Sequence, residues 1–154
     1  MATLYLSLGT NLGDRRSNLK TALDHIGQRI GTVEAVSQVM ETDPWGFDSP
    51  NSFLNIAAKV QTGLEPEDVL QKAKQIEKDM GRTSKTGNEG YKDRVIDIDL
   101  LLYDHFVMDT PDLTIPHKLM YKRRFVLEPL TQIAPELEHP VLHKTIRELL
   151  NQID

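Results

Sequence analysis

The chain has 154 residues, a formal net charge of −5, 27% charged and 39% hydrophobic residues, and no cysteine. That length suits one domain with an ordinary core, so residues 1–154 are expected to fold as a single unit. The balance of charged and apolar residues excludes general disorder and leaves no basic surplus for nucleic acid, and without cysteine there are no disulfides, zinc–thiolate sites or thiol nucleophiles. No stretch of about 18 apolar residues could cross a bilayer. The start, Met1-Ala2-Thr3-Leu4-Tyr5, lacks the basic opening of a signal peptide. A cytoplasmic protein without membrane or nucleic-acid partners is expected, working as a monomer.

Thr3 to Leu8 alternates and reads as a strand. Gly9-Thr10-Asn11-Leu12-Gly13-Asp14 follows as a turn, in which Asp14 or Asn11 can cap the next element. Leu19, Leu23, Ile26 and Ile30 then recur at helical spacing up to Gly31. Thr32 to Met40 alternates again and reads as a second strand, and Phe53 to Val60 as a third. Between them Glu41 to Ser52 has two prolines, Trp45 and Phe47 without periodicity, a loop long enough to call for a functional explanation. Pro66-Glu67-Asp68 opens a second helix that runs through Val69, Ala73 and Ile76 to Gly81.

Arg82 to Arg94 is a second polar loop, followed by the apolar stretch Val95 to Tyr103, which reads as a strand. Phe106-Val107-Met108 and Leu113-Thr114-Ile115 suggest a short strand pair. The rest reads as two short helices separated by Ile133-Ala134-Pro135. The order strand, helix, strand, strand, helix, strand is that of the split βαβ unit. The expected fold is therefore α+β: a ferredoxin-like, mainly antiparallel sheet with helices packed on it and a short C-terminal helical tail. A doubly wound parallel sheet fits less well, because no helix separates the second and third strands.

Asp97 and Asp99 are the strongest chemical signal. At i and i+2 of a strand both carboxylates share one face, with Cα atoms about 6.5–7 Å apart. Ile96, Ile98, Leu100, Leu101 and Leu102 surround them, and two like charges in such a setting call for a cation. Mg²⁺ suits this donor set, because it takes one or two carboxylates and completes its shell with phosphates and water. The same spacing also occurs on solvated strand faces.

Basic residues supply the second signal: Arg82, Lys85, Lys92 and Arg94 in one loop, Lys118, Lys122, Arg123 and Arg124 in another. Guanidinium forks and ammonium groups match phosphate oxygens, although charge runs are often merely solvated. The third signal is Glu41-Thr42-Asp43-Pro44-Trp45-Gly46-Phe47 with Phe53 and Asn55 on one strand face. Aromatic rings beside an amide suit a flat heterocycle, and covering of a core edge is an equally good reading. No Walker-type phosphate loop occurs.

Together these stretches resemble the 6-hydroxymethyl-7,8-dihydropterin pyrophosphokinase family from Leu4 to about Pro135. The similarity rests on Gly9-Thr10-Asn11-Leu12-Gly13, Phe53-Leu54-Asn55, Ile76-Glu77 with Gly81-Arg82, Arg94-Val95-Ile96-Asp97-Ile98-Asp99, Leu113-Thr114-Ile115-Pro116-His117 and Arg123-Arg124-Phe125-Val126-Leu127-Glu128-Pro129. The resemblance implies transfer of diphosphate from ATP to the pterin hydroxymethyl group, giving AMP and the pterin diphosphate in folate biosynthesis. It implies two Mg²⁺ ions on Asp97 and Asp99, with Arg82 and Arg94 in the catalytic set. Glu77, Lys85, Thr114, His117 and Arg123 correspond to the ATP side. Thr42, Pro44, Trp45, Phe53, Asn55, Tyr91 and Phe125 correspond to the pterin pocket.

The chain departs from the family at Tyr91-Lys92-Asp93-Arg94, where Trp-Gly-Pro-Arg is common. It departs again at Lys85, the expected substitute for a second arginine, and at Asp112, where a basic residue is common. A metal-dependent phosphohydrolase and a non-catalytic nucleotide-binding module are the competing readings. The aromatic face argues against the first and the aspartate pair against the second.

Overall fold

A computed structural model describes residues 1–43, 51–81 and 95–153. Strand β1 (Ala2–Thr10) leads through helix α1 (Arg15–Arg29) to β2 (Gly31–Val36), β3 (Met40–Thr42) and β4 (Phe53–Thr62). Helix α2 (Pro66–Asp79), β5 (Asp97–Tyr103), the two-residue strands β6 (Met108–Asp109) and β7 (Thr114–Ile115), a 3₁₀ turn (Met120–Lys122), α3 (Arg124–Ile133) and α4 (Ile146–Asn151) follow. The main sheet runs β2-β4-β1-β5 with β3 also on β4, and every pairing is antiparallel. This is the split βαβ arrangement expected from the element order.

Alternation along the strands divides the side chains between two faces. Leu4, Leu6 and Leu8 of β1, Ile56 and Val60 of β4 and Ile98 of β5 pack with Leu19, Ala22 and Ile26 of α1 and Val69, Ala73 and Ile76 of α2. Tyr5, Ala57, Leu101 and Leu102 face the other way and pack under Val126, Leu127 and Leu130 of α3 and Ile146 and Leu149 of α4. A register shift at Tyr5/Leu6 opposite β5 lets Leu101 and Leu102 both enter this second cluster. The C-terminal helices therefore form a third layer over half of the sheet, where the sequence suggested only an appended tail.

Several boundaries differ from the expectation, each for a local reason. The stretch Thr32 to Met40 is two strands: pairing with β4 continues through a bulge at Val33/Ala35 as far as Val36, and then the Ser37 hydroxyl accepts from Ala57 N at 2.9 Å in place of a ladder carbonyl. β1 extends two residues further, through Gly9 and Thr10. Asp14 caps α1 by accepting from Ser17 N, whereas Asn11 donates to the Asn51 carbonyl. The last two helices are separated by residues 134–145 rather than by a Pro-centred break, with Glu138 bridging Thr145 across that segment. Phe106 and Val107 are exposed outside β6.

Candidate active site

The sheet face carrying α3 and α4 is left open at the end where β1 finishes and β5 begins. Register places Asn55, Gly9 and Asp97 in one row across β4, β1 and β5, with Ala57, Ser7 and Asp99 in the next. Two strand spacings separate Asn55 from Asp97, about 9–10 Å between Cα atoms. The small residues Gly9 and Ser7 form a low floor between an amide on one side and two carboxylates on the other. Above it lies a recess whose walls include Thr42, Asp43, Phe53, Asn55, Asp97, Asp99, Arg123 and Phe125.

One wall of this recess is organised by hydrogen bonds. Asn55 is buried, and its Nδ2 donates to Thr42 Oγ1 at 2.9 Å and to Met40 O at 3.4 Å. The amide oxygen lies over Gly9, where an added Cβ would stand 3.0 Å from it. The recess thus meets an acceptor held in fixed orientation beside the Phe53 ring. Arg15 fastens the ground behind this wall, donating to Ser52 O and Ser52 Oγ and pairing with Glu41. The Ser52 hydroxyl and Arg15 hold the Glu41 carboxyl below its usual range.

Arg123, which also lines the recess, is 3% exposed, and its guanidinium carbon sits 5.6 Å from the Phe125 ring centroid. Burial pulls its pKa down, but a guanidinium stays charged at neutral pH. A buried cation next to an aromatic face suits contact with an anionic group.

A second cleft opens beyond β5, between α2 and the β7 region. Leu70, Ile98, Asp99, Leu100, Leu113, Thr114, His117 and Lys118 line it. Asp99 therefore faces both cavities. His117 Nδ1 accepts from Leu119 N at 3.2 Å, so in the neutral ring the proton is on Nε2, leaving a donor available. Burial, and then Lys118, push the His117 pKa down, which favours that neutral ring.

Among the described residues no group of three or more His, Cys, Asp or Glu could hold a metal ion. The donor set at the junction of the cavities is the Asp97 and Asp99 pair. Two carboxylates on one strand face do not make a closed protein cage, but they fit a hard divalent cation that completes its shell with phosphate oxygens and water.

The sequence matches the family described as 7,8-dihydro-6-hydroxymethylpterin-pyrophosphokinase over residues 5–135. A 2-amino-4-hydroxy-6-hydroxymethyldihydropteridine pyrophosphokinase of Porphyromonas gingivalis is 45% identical over 141 residues, 91% of this chain and 95% of its own length. The enzyme of the same description from Aquifex aeolicus is 39% identical over 148 residues, 96% of this chain and 90% of its own. The chain belongs to this family. Its fold is also that of a Plasmodium falciparum HPPK-DHPS chain solved with pteroate, at TM-score 0.80 and 18% identity. That alignment covers 98% of this chain and 44% of the longer one, so the chain spans less than half of it.

Within this pyrophosphokinase fold Thr42, Phe53, Asn55, Asp97, Asp99, Arg123 and Phe125 come together around the recess, and Thr114 and His117 line the cleft. Glu77, expected on the ATP side, is buried near the end of α2 with its carboxylate at the free edge of β5, and is not among the residues lining either cavity. Pro44, Trp45, Arg82, Lys85, Tyr91 and Arg94 lie outside the described residues. Ser7, Gly9 and Asp43 also line the recess; sequence reasoning assigned none of them a site role, although Gly9 and Asp43 stand in stretches it singled out. Gly9 carried a usable signal, a glycine continuing an alternating strand, which often marks a close approach of other groups.

Proposed function

We propose that the recess binds 6-hydroxymethyl-7,8-dihydropterin, that the cleft beyond β5 binds ATP, and that Asp97 and Asp99 hold Mg²⁺, two ions in all, where the cavities meet. The chain is a pyrophosphokinase of folate biosynthesis, with ATP as co-substrate. The observation that carries the site assignment is Asp99, which faces the acceptor recess and the second cleft at once. A group passed from one substrate to the other must cross that carboxylate.

In this reading Phe53 and Phe125 sandwich the pterin ring, and the fixed Asn55 oxygen accepts from one of its N–H groups. The hydroxymethyl oxygen then points along the Gly9 and Ser7 floor toward Asp97 and Asp99. It forms a bond to the β-phosphorus of ATP while the bond from that phosphorus to the α,β-bridging oxygen breaks, so AMP leaves with the electron pair. The hydroxyl proton passes to solvent, as no side chain is assigned as base. Bound Mg²⁺ supplies charge neutralisation across the phosphates. Arg123 and the neutral His117 donate to phosphate oxygens, and Thr114 orients the nucleoside end. Arg82, Lys85 and Arg94 add cationic charge to the polyphosphate, and Trp45, Pro44 and Tyr91 complete the pterin side. Most of the rate gain then comes from alignment and electrostatic stabilisation.

The proposal extends to residues 1–154 as one catalytic domain, acting as a cytoplasmic monomer on small molecules alone. No helix among the described residues is long and apolar enough to cross a membrane. The test is nucleotide chromatography after incubation with ATP, Mg²⁺ and the reduced pterin, each omitted in turn. AMP formed only when both pterin and metal are present is the expected result. ADP or free phosphate formed without pterin would overturn it in favour of a hydrolase.

A further inference from the structure

Glu77 lines neither cavity, unlike Thr114, His117 and Arg123. It lies in the last turn of α2 and is 5% exposed. Its Oε2 accepts the Ile98 backbone N–H at 2.7 Å. Ile98 is the residue between Asp97 and Asp99, and β5 is an edge strand whose neighbour in the sheet is β1. Antiparallel strands turn alternate N–H groups toward and away from the neighbouring strand. The Ile98 N–H that meets Glu77 is therefore directed away from β1, to the side where no strand among the described residues pairs with β5.

A buried amide needs an acceptor, and α2 provides one with formal charge, which makes the bond stronger than a neutral pair. The Ile98 side chain is buried in the core cluster that contains Ile76, the neighbour of Glu77 in α2. Ile98 is thus held twice from the helix side, through its side chain and through its amide. The pleat sends its two neighbours to the opposite face, where Asp97 and Asp99 enter the recess. Any rotation of the Ile98 peptide would swing both carboxylates at once.

We infer that Glu77 is a positioning residue for the aspartate pair, acting through the Ile98 amide to fix the pleat of β5 and with it the spacing and aim of Asp97 and Asp99. The meaning given to the pair rests on the function proposed above. The bond itself is independent of that reading and can be tested separately.

The experiment uses the full chain with Glu77→Gln, which keeps an acceptor oxygen, and Glu77→Ala, which removes it. Hydrogen exchange at the Ile98 amide is read by NMR in the metal-free protein. Mn²⁺ affinity is read by electron paramagnetic resonance with a non-hydrolysable ATP analogue, and kcat and KM are measured at saturating Mg²⁺. For Glu77→Ala the expected result is exchange at Ile98 at least about tenfold faster, Mn²⁺ binding about tenfold weaker, and a fall in kcat with KM for the pterin little changed. Glu77→Gln should restore all three to within a few-fold of the parent.

Unchanged Ile98 exchange in Glu77→Ala would overturn the inference, as would unchanged Mn²⁺ affinity despite faster exchange. Glu77→Gln that keeps Ile98 protected yet loses Mn²⁺ affinity would overturn it in favour of direct ligation by the carboxylate. Should Glu77→Ala fail to fold, the same comparison between Glu77→Gln and the parent still decides between positioning and ligation. A parent protein without pyrophosphoryl transfer would sink the proposed function while leaving the exchange and Mn²⁺ comparisons intact.

Discussion

Gly9 and Ser7 do as much for the site as the charged residues beside them, because they keep the middle of the sheet low between Asn55 and Asp97. A methyl group on Gly9 would sit 3.0 Å from Asn55 Oδ1 and 3.5 Å from the Phe53 ring, so the amide would have to shift. Gly9→Ala should raise KM for the pterin about tenfold, equivalent to ~1.4 kcal/mol, with a smaller effect on KM for ATP. Steady-state kinetics with each substrate varied would check this, and equal effects on both constants would count against the floor as part of the pterin pocket. Asp97 and Asp99 are part-exposed at the cavity junction. Asp97→Ala or Asp99→Ala should lower kcat on the order of 10³-fold, as for loss of a main electrostatic contact, while leaving the thermal midpoint within about 3 °C. A folded variant retaining parental turnover would remove the metal assignment.

Among the elements, α3 matters most for the shape of the site, since it carries Phe125 into the recess and buries Leu127 and Leu130 against the sheet. Leu130 is fully buried. Leu130→Ala should cost about 2–5 kcal/mol through lost contacts and the cavity left behind, seen as a lower urea midpoint at unchanged slope. The shorter α4 relies on its first turn. Thr145 Oγ1 accepts from Glu148 N at 3.1 Å, and Glu148 Oε1 accepts from Thr145 N at 2.8 Å. Thr145→Ala should therefore cost about 1 kcal/mol, and a loss much larger than this would mean that the cap also holds the 134–145 segment in place. On the other face, β5 is held by β1 along one edge and by Glu77 of α2 along the other. That double support suits the strand carrying both aspartates.

For the molecule as a whole, two histidines link stability to pH. Burial lowers the pKa of His139 first, with His143 adding to the effect, and burial followed by Lys118 lowers that of His117. His139 Nδ1 accepts from Val141 N and Leu142 N at 3.2 and 3.1 Å, which a proton on that nitrogen would end. Both folded values lie below the unfolded one, so the unfolded chain binds more protons once the pH drops below about 6.5. The stability these rings contribute is complete above that pH and is lost as the pH falls through the depressed folded values. Urea midpoints measured from pH 7.5 to 5 should fall in this window, and should fall less when His117 and His139 are both replaced by Gln. An equal slope in that double variant would place the pH dependence elsewhere.

Local order was legible in the amino-acid sequence because strand and helix periods leave different marks. The alternation of Leu4, Leu6 and Leu8, the Pro66-Glu67-Asp68 helix start and the i, i+2 aspartates needed no partner to be read. The order of these elements was enough for the split βαβ sheet, and the motif pattern pointed to the family to which the chain belongs. Other features depend on contacts between residues far apart in the chain. Ser37 replaces a ladder partner for Ala57, and the tail becomes a third layer because Tyr5, Ala57, Leu101 and Leu102 present an apolar face that must be covered. Glu77 could be picked out by its place in a motif, but that its carboxylate accepts the Ile98 N–H at the free edge of β5 depends on how α2 packs. The sequence by itself determined which face Leu4, Leu6 and Leu8 share and that Asp97 and Asp99 share one, since along an unbroken strand that depends on spacing alone. Only the tertiary structure decided that Asn55, Gly9 and Asp97 share a row and that Asp99 serves two cavities, because strand register and the packing of α2 and α3 set those distances.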